Sequence, residues 1–421
     1  MKNFKYLSLS LVLFQSLSSK AQGLNKIYKF NTFSSSFSHV FETPDGYDAF
    51  GYTSQLTAFG IDMDILFTKL DSCGKVLKAF RYGGSRDETL IGVFKNSQGN
   101  YSLLAESNSY TSQLSPLESD VLAISLSSSG SVLKSVIIER SNNSTRRNEV
   151  ISCAVSTKDN GYILSGGEGS LDLLKLNANL DPAWYKNFSS SGRNGASVAE
   201  LPSGNLITIH NDVLGRSVII MKHNPSGKVI LSKKINNPQN LRLNSSNRSG
   251  LYINGSCYFL MSTQSPNFEH MILKVDSNLN PTWCKKFINS GSVAGISVYK
   301  IEYFDGRIYV GGRNMNGQIA QLTSIDTNGS VIWSKSYEKG TYSANSIEGV
   351  TSLSNSSKLI AYGLDVDRSS GVRVYPTLLK TDTSKTLNKC ENHLSMSVSN
   401  FNVSSTLIQN PTSINIFKSR N

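Results

Sequence analysis

The chain has 421 residues, with 42 Lys and Arg against 30 Asp and Glu for a formal net charge of +12, and five Cys. The basic residues are spread along the chain with no recognition motif beside them, which argues against a nucleic-acid partner. Five Cys in so long a chain, with no C-x-x-C, make neither a disulfide scaffold nor a zinc site of the usual spacing.

At the N-terminus, Lys2 and Lys5 precede an apolar run from Tyr6 to Leu17, then Ser19-Lys20-Ala21 before Gln22. A basic start, a short apolar core and small residues at the end are the pattern of a secretory signal peptide over 1–21. The run is too short to cross a bilayer, and no later apolar stretch is long enough. The expectation is an exported protein of the periplasm, cell surface or extracellular space, with no membrane span.

Beyond the leader one unit returns at intervals of about 50 residues. Its clearest copy is Ser324 to Tyr337, SIDTNGSVIWSKSY, where an apolar run meets an Asp-x-Asn-Gly turn and Val331, Trp333 and Tyr337 then alternate with polar residues. Two alternating stretches around a Gly turn predict a β-hairpin. Equivalent turns are anchored at Asp71, Ser127, Asn177, Asn224, Asp276, Asp326 and Asp382, and each follows an alternating strand such as DILFTKLD or LDLLKLN. Further upstream in each unit comes a second turn and strand, for example SQGNYSLLAES from Ser97 or FDGRIYVGGR from Phe304, preceded by a shorter apolar stretch.

Four short strands per unit and no 3.6-residue apolar period predict an all-β fold. The architecture expected is a seven-bladed β-propeller of four-stranded antiparallel blades over 22–390. Asn25 to Asn31, NKIYKFN, resembles an outer strand yet precedes the first complete unit, so it is expected to complete the last blade and close the ring. Residues 391–421 are a Ser- and Asn-rich extension, either packed or partly disordered. Along the outer strands Trp184, Trp283 and Trp333 are each followed two residues later by Lys186, Lys285 and Lys335, with Lys233 at the same place beyond Leu231. An outer-strand Lys reads as protection against edge-to-edge pairing. Cys257 and Cys284 fall in one unit, where pairing is open to them.

The stretches D-x-D-I-L-x-x-K-L-D (Asp62 to Asp71), Tyr82-Gly83-Gly84 and D-N-G-Y-I-L-S-G (Asp159 to Gly166) resemble the tandem propeller repeats of secreted Bacteroidetes proteins. The resemblance covers nearly all of 37–382 and is best in the first, third and sixth units. It implies a propeller fold and export, and no single activity. Many such proteins end in a sorting domain for type IX secretion; the sequence here closes on NPTSINIFKSRN without that pattern.

Few residues suggest chemistry. Asp365-x-Asp367-x-Ser369-x-Gly371 resembles the start of a calcium loop, although Pro376 stands where the twelfth-position Glu belongs. Calcium at Asp365, Asp367 and Ser369 is thus the one cofactor candidate. Asp62-x-Asp64 reads as a pair of solvated acids near a turn. The five His form no H-x-x-x-H pair, and there is neither a G-x-S-x-G elbow nor a P-loop. The expectation is a non-enzymatic scaffold that binds a protein or glycan partner. Two alternatives stand beside it: a glycoside hydrolase or lyase with carboxylates meeting at the central channel, and a structural subunit of an outer-membrane or surface complex.

Overall fold

The computed structural model describes residues 25–30, 34–57, 60–109, 119–139, 151–166, 171–188, 193–212, 217–236, 243–263, 270–289, 296–314, 319–337, 345–353, 358–367, 373–382, 392–393, 396–400, 404–407 and 418–420. The leader 1–21 and the turn after Asp382 lie outside them. None of the described residues is helical.

In chain order the strands are β1 (Asn25–Ile27), β2 (Ser34–Thr43), β3 (Gly46–Thr57), β4 (Gly60–Asp71) and β5 (Val76–Tyr82). The second unit supplies β6 (Glu88–Lys95), β7 (Tyr101–Ser107), β8 (Asp120–Leu126) and β9 (Val132–Glu139), and the third β10 (Ile151–Ser156), β11 (Tyr162–Gly166), β12 (Leu171–Leu176) and β13 (Pro182–Phe188). Then come β14 (Arg193–Glu200), β15 (Leu206–Asn211), β16 (Ser217–His223) and β17 (Val229–Asn236), followed by β18 (Leu243–Ile253), β19 (Ser256–Thr263), β20 (His270–Asp276) and β21 (Pro281–Asn289). The last units hold β22 (Ile296–Phe304), β23 (Arg307–Asn314), β24 (Ala320–Ile325), β25 (Val331–Tyr337), β26 (Asn345–Ser352), β27 (Lys358–Asp367) and β28 (Arg373–Asp382). Four short strands close the chain: β29 (Asn392–His393), β30 (Met396–Asn400), β31 (Ser404–Leu407) and β32 (Lys418–Arg420).

Within each unit the strands pair in sequence order, giving five separate sheets built on β6–β9, β10–β13, β14–β17, β18–β21 and β22–β25. A sixth, eight-stranded sheet runs β26-β27-β28-β2-β3-β4-β5, with β1 also on β28. There β2 and β28 meet in parallel through one residue pair, Ser34 and Val374. The N-terminal strand pairs antiparallel with the last unit, Asn25 opposite Leu379 and Ile27 opposite Thr377. The protein is therefore all-β, made of four-stranded antiparallel propeller blades.

Two compact units are distinguished, 1–90 with 289–397 and 91–288 with 398–421. In the first, Phe37, Leu66 and Leu70 pack with Ile360, Tyr362 and Leu378, and Tyr309, Leu322 and Trp333 pack with Val350 and Leu359. In the second, three such layers fill the spaces between successive sheets: Leu104 and Val121 with Leu164 and Leu174, Ile163 and Phe188 with Met221, and Ile207 and Ile220 with Phe259 and Leu273. Each layer unites residues of consecutive units. The alternation of apolar residues along the strands is thus used on both faces, one for each neighbour.

The third-to-fourth-strand turn has one geometry in six units. Asp71 Oδ1 accepts the N–H groups of Cys73 and Lys75 at 2.9 and 2.7 Å, and Asp326 Oδ1 those of Asn328 and Ser330 at 2.8 Å each. Asn177, Asn224 and Asp276 do the same, and Ser127 Oγ accepts the N–H of Ser131 at 3.0 Å. The third residue after the anchor has positive φ, as in Gly227 (80°) and Gly329 (76°), and the ladder register shifts beside the anchor, as at Lys69/Leu70 and Ser324/Ile325. At Leu180 and Leu279 that left-handed position is filled by leucine, with φ 64° and 63°. The strain costs about 1 kcal/mol. Both side chains are at most 1% exposed, and burying a leucine is worth about 1.5–3 kcal/mol, so packing wins.

The C-terminal strands extend four sheets at their outer strands: β29 pairs β25, β30 lies beside β21, β31 pairs β17 and β32 pairs β9. The outer-strand lysines accordingly do not guard these edges. Lys335 is fully buried, with Nζ 3.4 Å from Thr381 Oγ1 and 5.1 Å above the Trp333 ring, and Lys233 Nζ donates to Asn280 Oδ1 at 2.5 Å. Each spans to the next unit. Cys257 and Cys284 do not pair; both are free, on β19 and β21 with β20 between them. Two strand spacings, about 9–10 Å, exceed disulfide reach.

Asp326→Ala removes both acceptor contacts and is expected to cost about 1–2 kcal/mol in urea unfolding, with Asp326→Asn costing less because Asn177 and Asn224 make the same turn. A chain ending before Asn392 is expected to self-associate at concentrations where the full chain does not, as read by light scattering, because it uncovers backbone along β9, β17, β21 and β25.

Candidate functional site

Antiparallel pairing puts the second-to-third-strand connection and the chain leaving the fourth strand at the same end of a blade. In the first unit this end carries a compact group of charges. Period 2 along β4 places Asp62 and Asp64 on one face with Leu66, whose cross-strand partner on β5 is Arg81. Arg81 Nε lies 2.7 Å from Asp64 Oδ2, and its Nη2 lies 3.9 Å from Asp62 Oδ2. The chain then turns at Gly83-Gly84 and returns with Asp87 and Glu88. Asp87 Oδ1 accepts the Met63 N–H at 2.8 Å, and Glu88 Oε2 accepts the Gly84 N–H at 2.9 Å.

Asp64 and Glu88 have no solvent exposure, and Asp62 is buried as well. The reading of Asp62 and Asp64 as solvated acids is corrected by this burial, which the length of the β3–β4 hairpin and the arginine on the next strand bring about. Burial pushes the Asp64 carboxyl up to about 7; Arg81 opposes that, while Asp62 and Glu88 reinforce it. Asp62 is also raised, by burial, against the pull of Arg81. The signal that the sequence carried for this group was Arg81 between Phe80 and Tyr82, a charge in an apolar strand beside a double glycine.

Two further charged groups are partly buried. Lys300 Nζ lies 2.6 Å from Glu302 Oε1 and 3.2 Å from the Tyr362 hydroxyl, while Glu302 Oε2 accepts the Val350 N–H at 2.8 Å. Lys234 Nζ lies 3.1 Å from Asp212 Oδ2, which also accepts a hydrogen bond from Ser217 Oγ. Glu106 accepts from the Ile151 N–H, and burial nevertheless pushes its carboxyl up to about 7.

Two of the three calcium candidates lie in a strand. Asp365 and Asp367 are ladder residues of β27, opposite Tyr375 and Arg373, and Ser369 lies outside the described residues. Among the described residues no group of three or more His, Cys, Asp or Glu side chains has the arrangement of a metal site. The thiols of Cys257 and Cys284 are pushed up to about 12 by burial, which keeps them protonated and unreactive. No described helix is long and apolar enough to cross a membrane.

No protein-family model and no curated protein matches the chain. Solved structures do. A Bacteroides caccae protein of unknown function aligns at 12% identity and TM-score 0.40, covering 64% of this chain and 89% of its own. A puromycin-hydrolysing peptidase of Mycobacterium tuberculosis aligns at 12% and 0.48, covering 84% of this chain and 52% of its own. The polysaccharide lyase Uly1 aligns at 9% and 0.45, covering 89% and 100%.

The imidazoles of His223 and His270 are pushed down by burial to about 3 and about 4, from 6.5. Below pH 6.5 the unfolded chain takes up protons that the folded chain refuses, so these residues make stability fall as the pH drops toward 4. The melting temperature of His223→Gln is expected to gain on wild type steadily across that window; a constant difference would refute the assignment.

Proposed function

We propose that the chain is an exported, non-enzymatic, seven-bladed β-propeller that presents a recognition surface to a protein or glycan partner at the cell envelope or outside the cell. The count takes β2–β5 as one blade and β26–β28 with β1 as another, since one residue pair joins them. The resemblance to secreted Bacteroidetes repeats accords with export, and no cofactor belongs to the reading.

The observation that carries it is a difference between the two ends of the blades whose turns are described. First-to-second-strand turns (44–45, 96–100, 157–161, 201–205, 254–255 and 305–306) and third-to-fourth-strand turns are short, and the third-to-fourth turns repeat one geometry. Connections at the other end run from 58–59 to 108–119 and 140–150. Variable connections on a rigid frame are what selective binding requires.

A second reading, a glycoside hydrolase or lyase, is favoured by one observation: an Asp64 carboxyl raised to about 7 beside Glu88, the kind of shift a general acid needs. A third, a subunit of an outer-membrane or surface complex, shares the same binding surface. Tagged mature protein is to be captured from envelope and from medium, with mass spectrometry of what accompanies it, then tried on a glycan array and against polysaccharide substrates. A partner or glycan whose capture is lost when 110–118 becomes a Gly-Ser linker, and kept in Asp326→Asn, supports the recognition reading. Turnover lost in Asp64→Asn would replace it with the enzyme, and a stoichiometric envelope partner would make the protein a complex subunit.

A further inference from the structure

Gly83 and Gly84 lead from β5 to Glu88 at the start of β6, and this short connection closes over Asp64. A Cβ on Gly83 would stand 1.5 Å from Asp64 Oδ1 and 2.4 Å from Glu88 Oε2. The two carboxyl oxygens therefore converge on one point, with no side chain between them and no solvent exposure for either residue. Facing them are Asp62 from β4, Arg81 from β5 and Asp87 from the connection itself, while β3 places Thr53 opposite Asp64. Arg81 sits on the far oxygen of Asp64, at Oδ2. Arg81 faces Asp64 Oδ2 and Asp62 Oδ2, not the Oδ1 that converges on Glu88, and two buried carboxylates in contact repel unless something positive lies between them.

We propose that Asp64 and Glu88 form a proton-binding site: one proton held between Asp64 Oδ1 and Glu88 Oε2 latches the 83–87 connection onto the β3–β4 hairpin. The backbone bonds from Gly84 to Glu88 and from Met63 to Asp87 lock the same two segments, so losing the proton loads the repulsion directly onto them. Burial raises the Asp64 carboxyl from 3.8 to about 7. The folded chain thus keeps a proton that the unfolded chain releases near pH 4, so the latch's contribution to stability is full below that pH and is lost as the pH rises through 7. This end of the blade belongs to the variable surface assigned above, but the proton site does not depend on the identity of any partner.

The test compares wild type with Glu88→Gln, whose amide supplies the hydrogen bond without a shared proton, and with Asp64→Asn should the first fail to fold. Infrared difference spectra of wild type against Glu88→Gln at about pH 6 are expected to show, beyond the Glu106 contribution common to both, the carbonyl stretch of a protonated carboxylic acid that disappears by about pH 9. Hydrogen exchange in a peptide covering 60–90 is expected to rise roughly tenfold beyond the intrinsic pH effect in wild type over that range, and not in the variant. A wild-type spectrum at pH 6 identical to that of Glu88→Gln would overturn the proposal. So would a melting temperature raised by millimolar calcium in wild type and not in Glu88→Gln, which would put a cation in the gap.

Discussion

The side-chain oxygen of Asp71, Ser127, Asn177, Asn224, Asp276 or Asp326 binds backbone N–H groups of its own turn, and the blade's register follows from that contact. Once the anchor holds the next residues in a turn, the residue after them must be left-handed and the outer strand starts with a bulge. A slip by one residue would send every apolar side chain of that strand to the other face. Both faces here belong to packed layers, so the slip would empty two cores at once. The turn is therefore conserved in geometry across the repeats although its residues differ.

From that register comes the contact between neighbours. Lys134 Nζ reaches the carbonyl of Asn179 at 2.7 Å and Asp181 at 2.6 Å, Lys222 the carbonyl of Ser277 at 3.0 Å, and the Tyr28 hydroxyl the carbonyl of Gly74 at 3.0 Å. Each donor lies about one repeat from its acceptor. The Trp184 ring comes so near Gly227 that a Cβ there would stand 2.8 Å from it. One residue thus needs glycine twice, for its φ of 80° and for the neighbour's tryptophan. Exposed pairs such as Lys134 with Asp181 contribute little each; their value is in locating one turn against the next.

What could be read from the sequence was what local chemistry determines. Anchors, strand alternation and the NKIYKFN match each show within a dozen residues, and they led to the observed pairing of β1 with β28. Contacts one repeat away left no such trace. Lys335 reads as a surface charge until Thr381 and the Trp333 ring enclose it. The strands β29 to β32 were invisible for another reason: they add to sheet edges through backbone bonds, and Ser404 and Leu407 remain exposed, Leu407 at 67%. Such a strand needs no alternating pattern. Asp62 and Asp64 were misread because an Asp-x-Asp before an apolar strand looks the same whether Arg81 stands opposite or not.

Among the described residues, the first unit has a feature of its own at one end. Its β3–β4 hairpin carries the ladder beyond the other units to Leu56 and Ile61, a cross-strand pair 72% and 51% exposed. The buried acids lie just below that tip. Neither feature helps the core: the leucine and isoleucine stay in water, and the carboxyls are desolvated with one arginine among them. Had these residues been free to drift, solvated acids and a shorter hairpin would have served the frame better. At the opposite end such freedom does not exist, since a changed turn changes the register. Local cost is therefore carried where the frame permits variation, at the end to which the proposed recognition surface is assigned.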